Sequence, residues 1–129
     1  MMRVGLTGSI ASGKSEVAKR FRLHGIPVFD ADEAVHQIYA DPQSAQFIAA
    51  EFPMALRDNV IDRTRLSAQL LQNPADFAKL EAIVHPLVRA RRQAFVAEHA
   101  AQDFVVLDIP LLFESGEDKQ MDCTLVVTT

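Results

Sequence analysis

The stretch from residue 8 to residue 15 reads GSIASGKS and carries the most specific chemistry in the sequence. It matches G-x-x-x-x-G-K-[ST], with glycines at Gly8 and Gly13 followed by Lys14 and Ser15. In this pattern backbone N–H groups surround a phosphate, the lysine reaches the outer phosphates and the hydroxyl binds magnesium. The apolar run VGL precedes the stretch and a helical pattern follows it. We therefore predict a phosphate-binding loop; the alternative is a glycine-rich turn with no ligand.

A carboxylate that could assist the metal ends a later apolar run. The segment VVLDIP finishes a predicted buried strand at Asp108. A carboxylate in this position helps to place Mg²⁺ beside a phosphate loop. We predict that Ser15 and Asp108 bind the metal; the alternative is that Asp108 only caps a turn.

Two further acids, in the stretch FDADEAVH, follow the second predicted strand. Asp30 and Asp32 lie at the carboxyl end of that strand, where open parallel sheets bind their ligands. A kinase that phosphorylates an alcohol needs a carboxylate to orient the hydroxyl and accept its proton. Helix capping is the alternative role for each acid. We favour Asp32 as the base.

The elements that must position these residues alternate along the chain. VGLTG, PVFD, FVVLDIP and CTLVVTT read as short buried strands, because they are β-branched or aromatic and bounded by Gly, Pro or Asp. A helical pattern from Ser15 to His24 joins the first two strands. A right-handed βαβ unit of this kind generates a parallel sheet. The fold class predicted is α/β, with a mostly parallel sheet flanked by helices.

The segment from Glu33 to Ala101 is poor in strand patterns. Helix starts are predicted at Asn73-Pro74 and at His85-Pro86, where a capping residue precedes a proline. We predict a helical insertion at about 33–101 that forms a wall facing a substrate; the alternative is that these helices only cover the sheet.

Composition limits the kind of protein. The chain has 129 residues, 49% of them hydrophobic, which is enough for one domain, 1–129. Seventeen acidic residues against 13 basic ones disfavour a nucleic-acid partner, and no apolar run is long enough for a membrane span. The lone Cys123 lies in an apolar run and is predicted to be buried. We expect a cytoplasmic protein that acts on small molecules; the oligomeric state is left open.

The sequence resembles the dephospho-CoA kinase family along its whole length. The resemblance rests on GLTGSIASGKS, on DAD after the second strand, on IDRTRL, on IVHPLV and on PLLFE after the third strand. Only the first of these is common among P-loop proteins. The family has the fold of P-loop nucleoside-triphosphate hydrolases and kinases, and it phosphorylates the ribose 3′-hydroxyl of dephospho-CoA with ATP and Mg²⁺.

The resemblance implies roles for particular residues. Asp32 and Lys14 would be catalytic, and Ser15 and Asp108 would bind Mg²⁺. The ATP-binding residues would be Gly8, Ala11, Ser12, Gly13, Lys14, Ser15 and Glu16. The substrate-binding residues would be Asp32, Arg63, His85, Arg89, Leu112 and Glu114. A solvated helix face is the alternative reading of the arginines, and a helix cap that of His85.

Other classes of protein fit less well. A switch GTPase would show D-x-x-G after the third strand and N-K-x-D later, and the sequence has neither. The alternatives that we keep are a catalytically silent nucleotide-binding module and another small-molecule P-loop kinase. Family members continue beyond the fourth strand into an arginine-bearing lid, so we expect this chain to bind MgATP but to transfer phosphate slowly.

Overall fold

The computed structural model describes residues 1–8, 13–109 and 117–128. Within these ranges the chain divides into two compact units. The first consists of Met1–Asp32 with Arg92–Thr129, and the second of Glu33–Arg91. The prediction of a single domain with an insertion at about 33–101 stays a prediction.

Six strands and five helices are formed by the described residues. In chain order they are β1 (Met2–Gly8), α1 (Lys14–Leu23), β2 (Val28–Asp30), α2 (Ala31–Ala40), α3 (Pro42–Ala49), β3 (Leu56–Arg57), β4 (Val60–Ile61), α4 (Arg63–Gln72), α5 (Asp76–Glu98), β5 (Phe104–Asp108) and β6 (Cys123–Val127). Two short 3₁₀ helices, Pro53–Ala55 and Glu117–Gln120, complete them.

The first unit contains a four-stranded sheet in the order β2-β5-β1-β6, and all three pairings are parallel. The central strand residues Val105, Val106 and Leu107 are at most 1% exposed, as a parallel sheet covered on both faces requires. All four strands predicted from the sequence are present. The prediction of a mostly parallel α/β fold is therefore confirmed.

Helix α1 packs on this sheet through its small and apolar face. Ala18 is 2% exposed and forms a buried cluster with Leu6 of β1 and Val106 of β5. The ring of Phe21 meets that of Phe104 edge-on, with the centroids 6.5 Å apart. The helix ends before Gly25, whose φ of 75° is in the left-handed region that glycine adopts without strain. The predicted first helix is thus confirmed.

The second unit has a hydrophobic core of its own. Phe52, Ile38 and Ile48 are at most 2% exposed in this core. Asp62 caps α4, because its Oδ1 accepts the backbone N–H groups of Thr64 at 3.0 Å and Arg65 at 3.2 Å. Apolar packing therefore stabilises the helices of this segment, and a capping side chain satisfies backbone N–H groups at the start of α4.

A small β-hairpin in this segment was missed by the sequence analysis. Strands β3 and β4 pair antiparallel, and the two residues between them, Asp58 and Asn59, have φ of 53° and 67°. Two consecutive left-handed residues are typical of a type I′ turn, and Asp and Asn tolerate this conformation better than most residues. The signal was present in LRDNVI, although each strand has only two residues.

The helix starts predicted at Asn73-Pro74 and His85-Pro86 are wrong. Asn73 is the C-cap of α4, and α5 runs unbroken from Asp76 to Glu98 with Pro86 inside it. The apolar stripe of α5 continues across the proline, since Leu80 and Val84 before it are buried and Leu87 and Val88 after it pack on the same core. Burial of this stripe outweighs the lost backbone hydrogen bond.

Cys123 is exposed, so the prediction of a buried thiol is also wrong. The residue begins β6, which in the described part of the chain is an outer strand of the sheet and pairs with β1. A strand with an apolar sequence is buried only when other elements of the fold cover both of its faces. The sequence of the strand does not specify whether such elements are present.

We predict that Pro86→Ala stabilises the protein by about 1–3 kcal/mol, because alanine restores the helical N–H and removes the ring clash in an exposed helix interior. Pro42 is the matched control, since it lies at the first position of α3, where no N–H is needed. Pro42→Ala is expected to be neutral or destabilising by urea denaturation. Equal effects of the two substitutions would contradict the prediction.

Candidate active site

Helix α1 begins directly after a glycine. Its N-cap residue Gly13 has φ 90° and ψ 10°, and no described side chain caps the helix. A Cβ on Gly13 would meet nothing within 4 Å, so the glycine is needed for its left-handed backbone rather than for space inside the protein. The first turn of such a helix has backbone N–H groups without intrahelical acceptors and carries the positive end of the helix dipole, and both favour an anion.

Lys14 contacts a carboxylate of the neighbouring strand. Its Nζ lies 2.7 Å from Oδ1 of Asp108, and the two side chains are only 17% and 8% exposed. Apart from this ammonium, Oδ1 has no hydrogen-bond donor among the described residues. A buried carboxylate oxygen in this condition can accept a metal-bound water or another donor.

Asp30 and Asp32 have different local roles. Oδ1 of Asp30 accepts the backbone N–H of Asp32 at 2.9 Å, which makes Asp30 the residue that caps the start of α2. Asp32 lies in the first turn of that helix and is exposed. Because Asp30 supplies the cap, the carboxylate of Asp32 is not required for it. Its role as a base stays a prediction.

Three carboxylates share the carboxyl edge of the sheet. Asp30 ends β2 and is the register partner of Asp108, which ends β5. Burial raises the pKa of Asp108, the Lys14 ammonium opposes this rise, and the negative charges of Asp30 and Asp32 add to it. A positive ion or ligand group that entered here would stabilise the ionised form of Asp108.

In the second unit the guanidinium of Arg63 lies against two rings of α2. Its Nη1 is 2.8 Å from Nδ1 and 3.0 Å from Nε2 of His36, and its central carbon is 5.6 Å from the centre of the Tyr39 ring. His36 and Tyr39 were not singled out by the sequence analysis. Their three-residue spacing in HQIY is the signal that places both on one face of a helix.

The other predicted substrate-binding residues of this unit lie along α5. Nη2 of Arg89 is 3.3 Å from Nδ1 of His85, one turn earlier. The two arginines that follow have other partners: Arg91 lies 3.8 Å from a carboxylate oxygen of Asp41, and Arg92 is buried and donates to Gln120 at 3.0 Å. His85 does not cap a helix, because it lies in the interior of α5.

The remaining predicted residues are placed as follows. Gly8 ends β1, Ser15 is exposed in the first turn of α1, and exposed Glu16 lies 3.9 Å from Arg20 of the same helix. Four of them fall outside the described residues: Ala11, Ser12, Leu112 and Glu114. The roles predicted for all of these residues stay predictions.

The donors at the carboxyl edge suit magnesium rather than a soft metal. Among residues 1–8, 13–109 and 117–128, no group of three or more His, Cys, Asp or Glu side chains is arranged to hold an ion. Mg²⁺ commonly keeps several waters and takes one or two protein oxygens together with substrate phosphates. The buried carboxylate of Asp108 and the hydroxyl of Ser15 fit that requirement.

The parallel sheet, the glycine-capped helix and the Lys14–Asp108 pair define an α/β protein of the P-loop kinase type. A sequence model of the dephospho-CoA kinase family matches residues 2–129, and the chain belongs to that family. This identification agrees with the resemblance and does not favour another family of small-molecule kinases.

Curated relatives carry the same name. Dephospho-CoA kinases of Rhizobium meliloti (strain 1021) and Mesorhizobium japonicum are 52% and 49% identical to this chain, each over 130 residues. Each alignment covers 99% of this chain and 66% of the relative. The chain therefore spans slightly less than two thirds of the length of these relatives.

Solved structures have a similar fold. A crystal structure of a Thermus thermophilus protein is 34% identical, with a TM-score of 0.79, and the match covers 98% of this chain and 65% of that one. Dephospho-CoA kinase from Campylobacter jejuni is 28% identical, with a TM-score of 0.76, over 96% of this chain and 64% of that one. Among the described residues, no helix is both long enough and apolar enough to span a membrane.

We predict that the free energy of unfolding of Asp108→Asn, measured relative to the wild-type chain, increases as pH rises. Because the folded-state pKa of Asp108 is raised, its contribution to stability is fully present below its ordinary pKa of about 3.9 and is lost as pH rises through the folded value. The neutral amide avoids that loss. Urea denaturation from pH 3 to pH 8 should show the difference from wild type growing with pH; a constant or opposite difference would contradict it.

Proposed function

We propose that this protein transfers the γ-phosphoryl group of ATP to the 3′-hydroxyl of the ribose of dephospho-CoA. The observation that carries the proposal is the contact of Lys14 with Asp108, which brings the lysine of the phosphate-loop motif to the carboxyl edge of the sheet. Membership of the dephospho-CoA kinase family supports the choice of substrate. The reaction fits a small-molecule enzyme of the cytoplasm that needs neither a nucleic acid nor a membrane.

Binding of ATP would begin at the N-terminus of α1. The backbone N–H groups that follow Gly13 would donate to the phosphates, and Lys14 would exchange the carboxylate of Asp108 for the outer phosphate oxygens. That exchange leaves a cation on the phosphates and frees the carboxylate beside them. The other loop residues assigned to ATP are Gly8, Ala11, Ser12, Ser15 and Glu16.

Ser15 and Asp108 would hold Mg²⁺, with the hydroxyl as a direct donor and the carboxylate acting through water. When bound, the ion would neutralise charge on the phosphate oxygens. Asp108 is suited to this position because its carboxylate is buried and, among the described residues, Oδ1 contacts no donor other than Lys14, which would move to the phosphates.

Asp32 would be the base. Its exposed carboxylate would accept the hydrogen bond of the 3′-hydroxyl and take its proton as the oxygen attacks the γ-phosphorus. The bond between the γ-phosphorus and the bridging oxygen breaks, and ADP leaves with the electron pair of that bond. Asp30 is less suited to this step because its carboxylate caps α2.

Arg63, His85 and Arg89 would bind dephospho-CoA, as would Leu112 and Glu114. The three described residues are exposed, and the two arginines offer planar sets of N–H donors that match the oxygens of a pyrophosphate. In this proposal the helical segment at about 33–101 is the part of a single kinase domain that carries the acceptor-binding side chains.

Replacing Lys14 with alanine is expected to abolish MgATP binding or to weaken it by ~10² or more, since the charge on the outer phosphates is lost at a site that is largely shielded from water. Lys19→Ala is the matched control, because Lys19 is an exposed lysine of the same helix. Isothermal calorimetry measures both variants. Unchanged affinity in Lys14→Ala would refute the proposed phosphate site.

In a full-length context, Asp32→Asn should lower the rate of phosphoryl transfer by ~10² or more and leave MgATP affinity nearly intact, because the amide keeps the size of the side chain and cannot accept the proton. A coupled ADP-release assay with dephospho-CoA measures the rate. Asp30→Asn serves as the comparison, since asparagine also caps helices. A large loss in Asp30→Asn alone would move the base to that residue.

A further inference from the structure

The guanidinium of Arg63 is held by aromatic rings rather than by a carboxylate. Among the described residues no Asp or Glu lies within ion-pair distance of it, although Arg57 and Arg65 lie 3.6 Å and 4.0 Å from the carboxylate of Asp62. The contacts of Arg63 are the ring nitrogens of His36 at 2.8 Å and 3.0 Å and the Tyr39 ring at 5.6 Å. Its positive charge is therefore oriented without being neutralised.

The two rings belong to one face of α2. His36 and Tyr39 are three residues apart, so their side chains emerge on the same side of the helix. Tyr39 is half-buried and packs against the core of the second unit, whereas His36 is exposed. The ring of Tyr39 is thus fixed by packing, and the ring of His36 enlarges the aromatic surface that contacts Arg63.

Among the described residues only Nη1 of Arg63 has a hydrogen-bond contact, so the N–H groups of Nε and Nη2 stay available. Nη1 of Arg63 is nearly equidistant from the two ring nitrogens of His36. It therefore lies over the face of the imidazole rather than in line with the lone pair of one nitrogen. A guanidinium that rests on ring faces keeps N–H groups pointing outward in its own plane. Burial raises the pKa of Tyr39 and the Arg63 cation opposes the rise, which agrees with a direct electrostatic contact.

Stability alone does not explain this arrangement. Arg63 is the first residue of α4, where the helix dipole disfavours a cation, and an exposed contact of this kind contributes little to folding. An arginine that is pre-oriented loses less conformational freedom when it binds an anion. The arrangement therefore favours binding of a negatively charged ligand.

We propose that His36 and Tyr39 are positioning residues that hold the guanidinium of Arg63 ready for the phosphate oxygens of dephospho-CoA. This inference rests on the proposed function, which assigns Arg63 to that substrate. Neither ring needs to touch the substrate: each acts through the arginine. The imidazole and the phenol ring would set how firmly the acceptor is bound, not how fast phosphate is transferred.

The test is calorimetric binding of dephospho-CoA at fixed ionic strength and pH 8. Arg63→Met is expected to weaken binding ~10-fold or more, since a charge-assisted hydrogen bond is lost. His36→Ala and Tyr39→Leu should each weaken it roughly 2- to 5-fold, whereas Tyr39→Phe, which keeps the ring, should stay within about 2-fold of wild type. Arg65→Met is the matched control and should bind like the wild-type chain.

The decisive measurement is the double variant His36→Ala with Arg63→Met. If the imidazole acts through the arginine, His36→Ala has no further effect once Arg63 is gone. The positioning role would be refuted if His36→Ala weakened dephospho-CoA binding equally in the wild-type chain and in Arg63→Met, or weakened it in neither. Unchanged MgATP affinity and thermal midpoints exclude unfolding as the cause, and Tyr39→Phe keeps the test valid if Tyr39→Leu loses its packing.

The outcomes separate this inference from the function on which it rests. Binding of dephospho-CoA that responds to Arg63→Met but not to His36→Ala would refute the positioning role and support the substrate. No binding by the wild-type chain at millimolar dephospho-CoA would refute both.

Discussion

Parallel pairing of β1 with β5, and of β5 with β2, is the constraint on which the candidate active site depends. Strands that run in the same direction finish at the same edge of a sheet, so Leu6, Asp30 and Asp108 are brought there by strand register, and Gly8 follows Leu6 by two residues. The interior of the sheet is apolar and nearly inaccessible. Polar groups can therefore gather only where the strands end.

That edge concentrates opposite charges within a small volume. Lys14 reaches Asp108 because α1 begins a few residues after β1 and its first residue carries the lysine. The carboxylate is buried with Lys14 as its counter-charge, and two more acids add their negative charge. Such an arrangement is unfavourable for stability and favourable for ligand binding, because phosphate and a divalent cation can satisfy both charges at once.

In the second unit, weaker contacts orient a charged side chain. Its apolar core fixes α2 and α4, and the exposed side chains of these helices then meet in a defined way. Arg63 gains orientation from rings, whereas its neighbour Arg65 is close to a carboxylate. The difference matters for recognition, since an arginine already paired with an acid offers less charge to an anionic ligand.

The sequence by itself determined the elements whose signals are local: four strands, the first helix, the fold class and the phosphate-loop motif. Tertiary packing decided what local signals could not. A continuous apolar stripe carried α5 through Pro86, and the outer position of β6 exposed Cys123. Helix capping was an open alternative for both Asp30 and Asp32 in the sequence, and only the first turn of α2 showed that Asp30 is the cap. The contacts of Lys14 with Asp108 and of His36 with Arg63 join residues far apart in the chain, and such pairings follow from the fold, not from spacing.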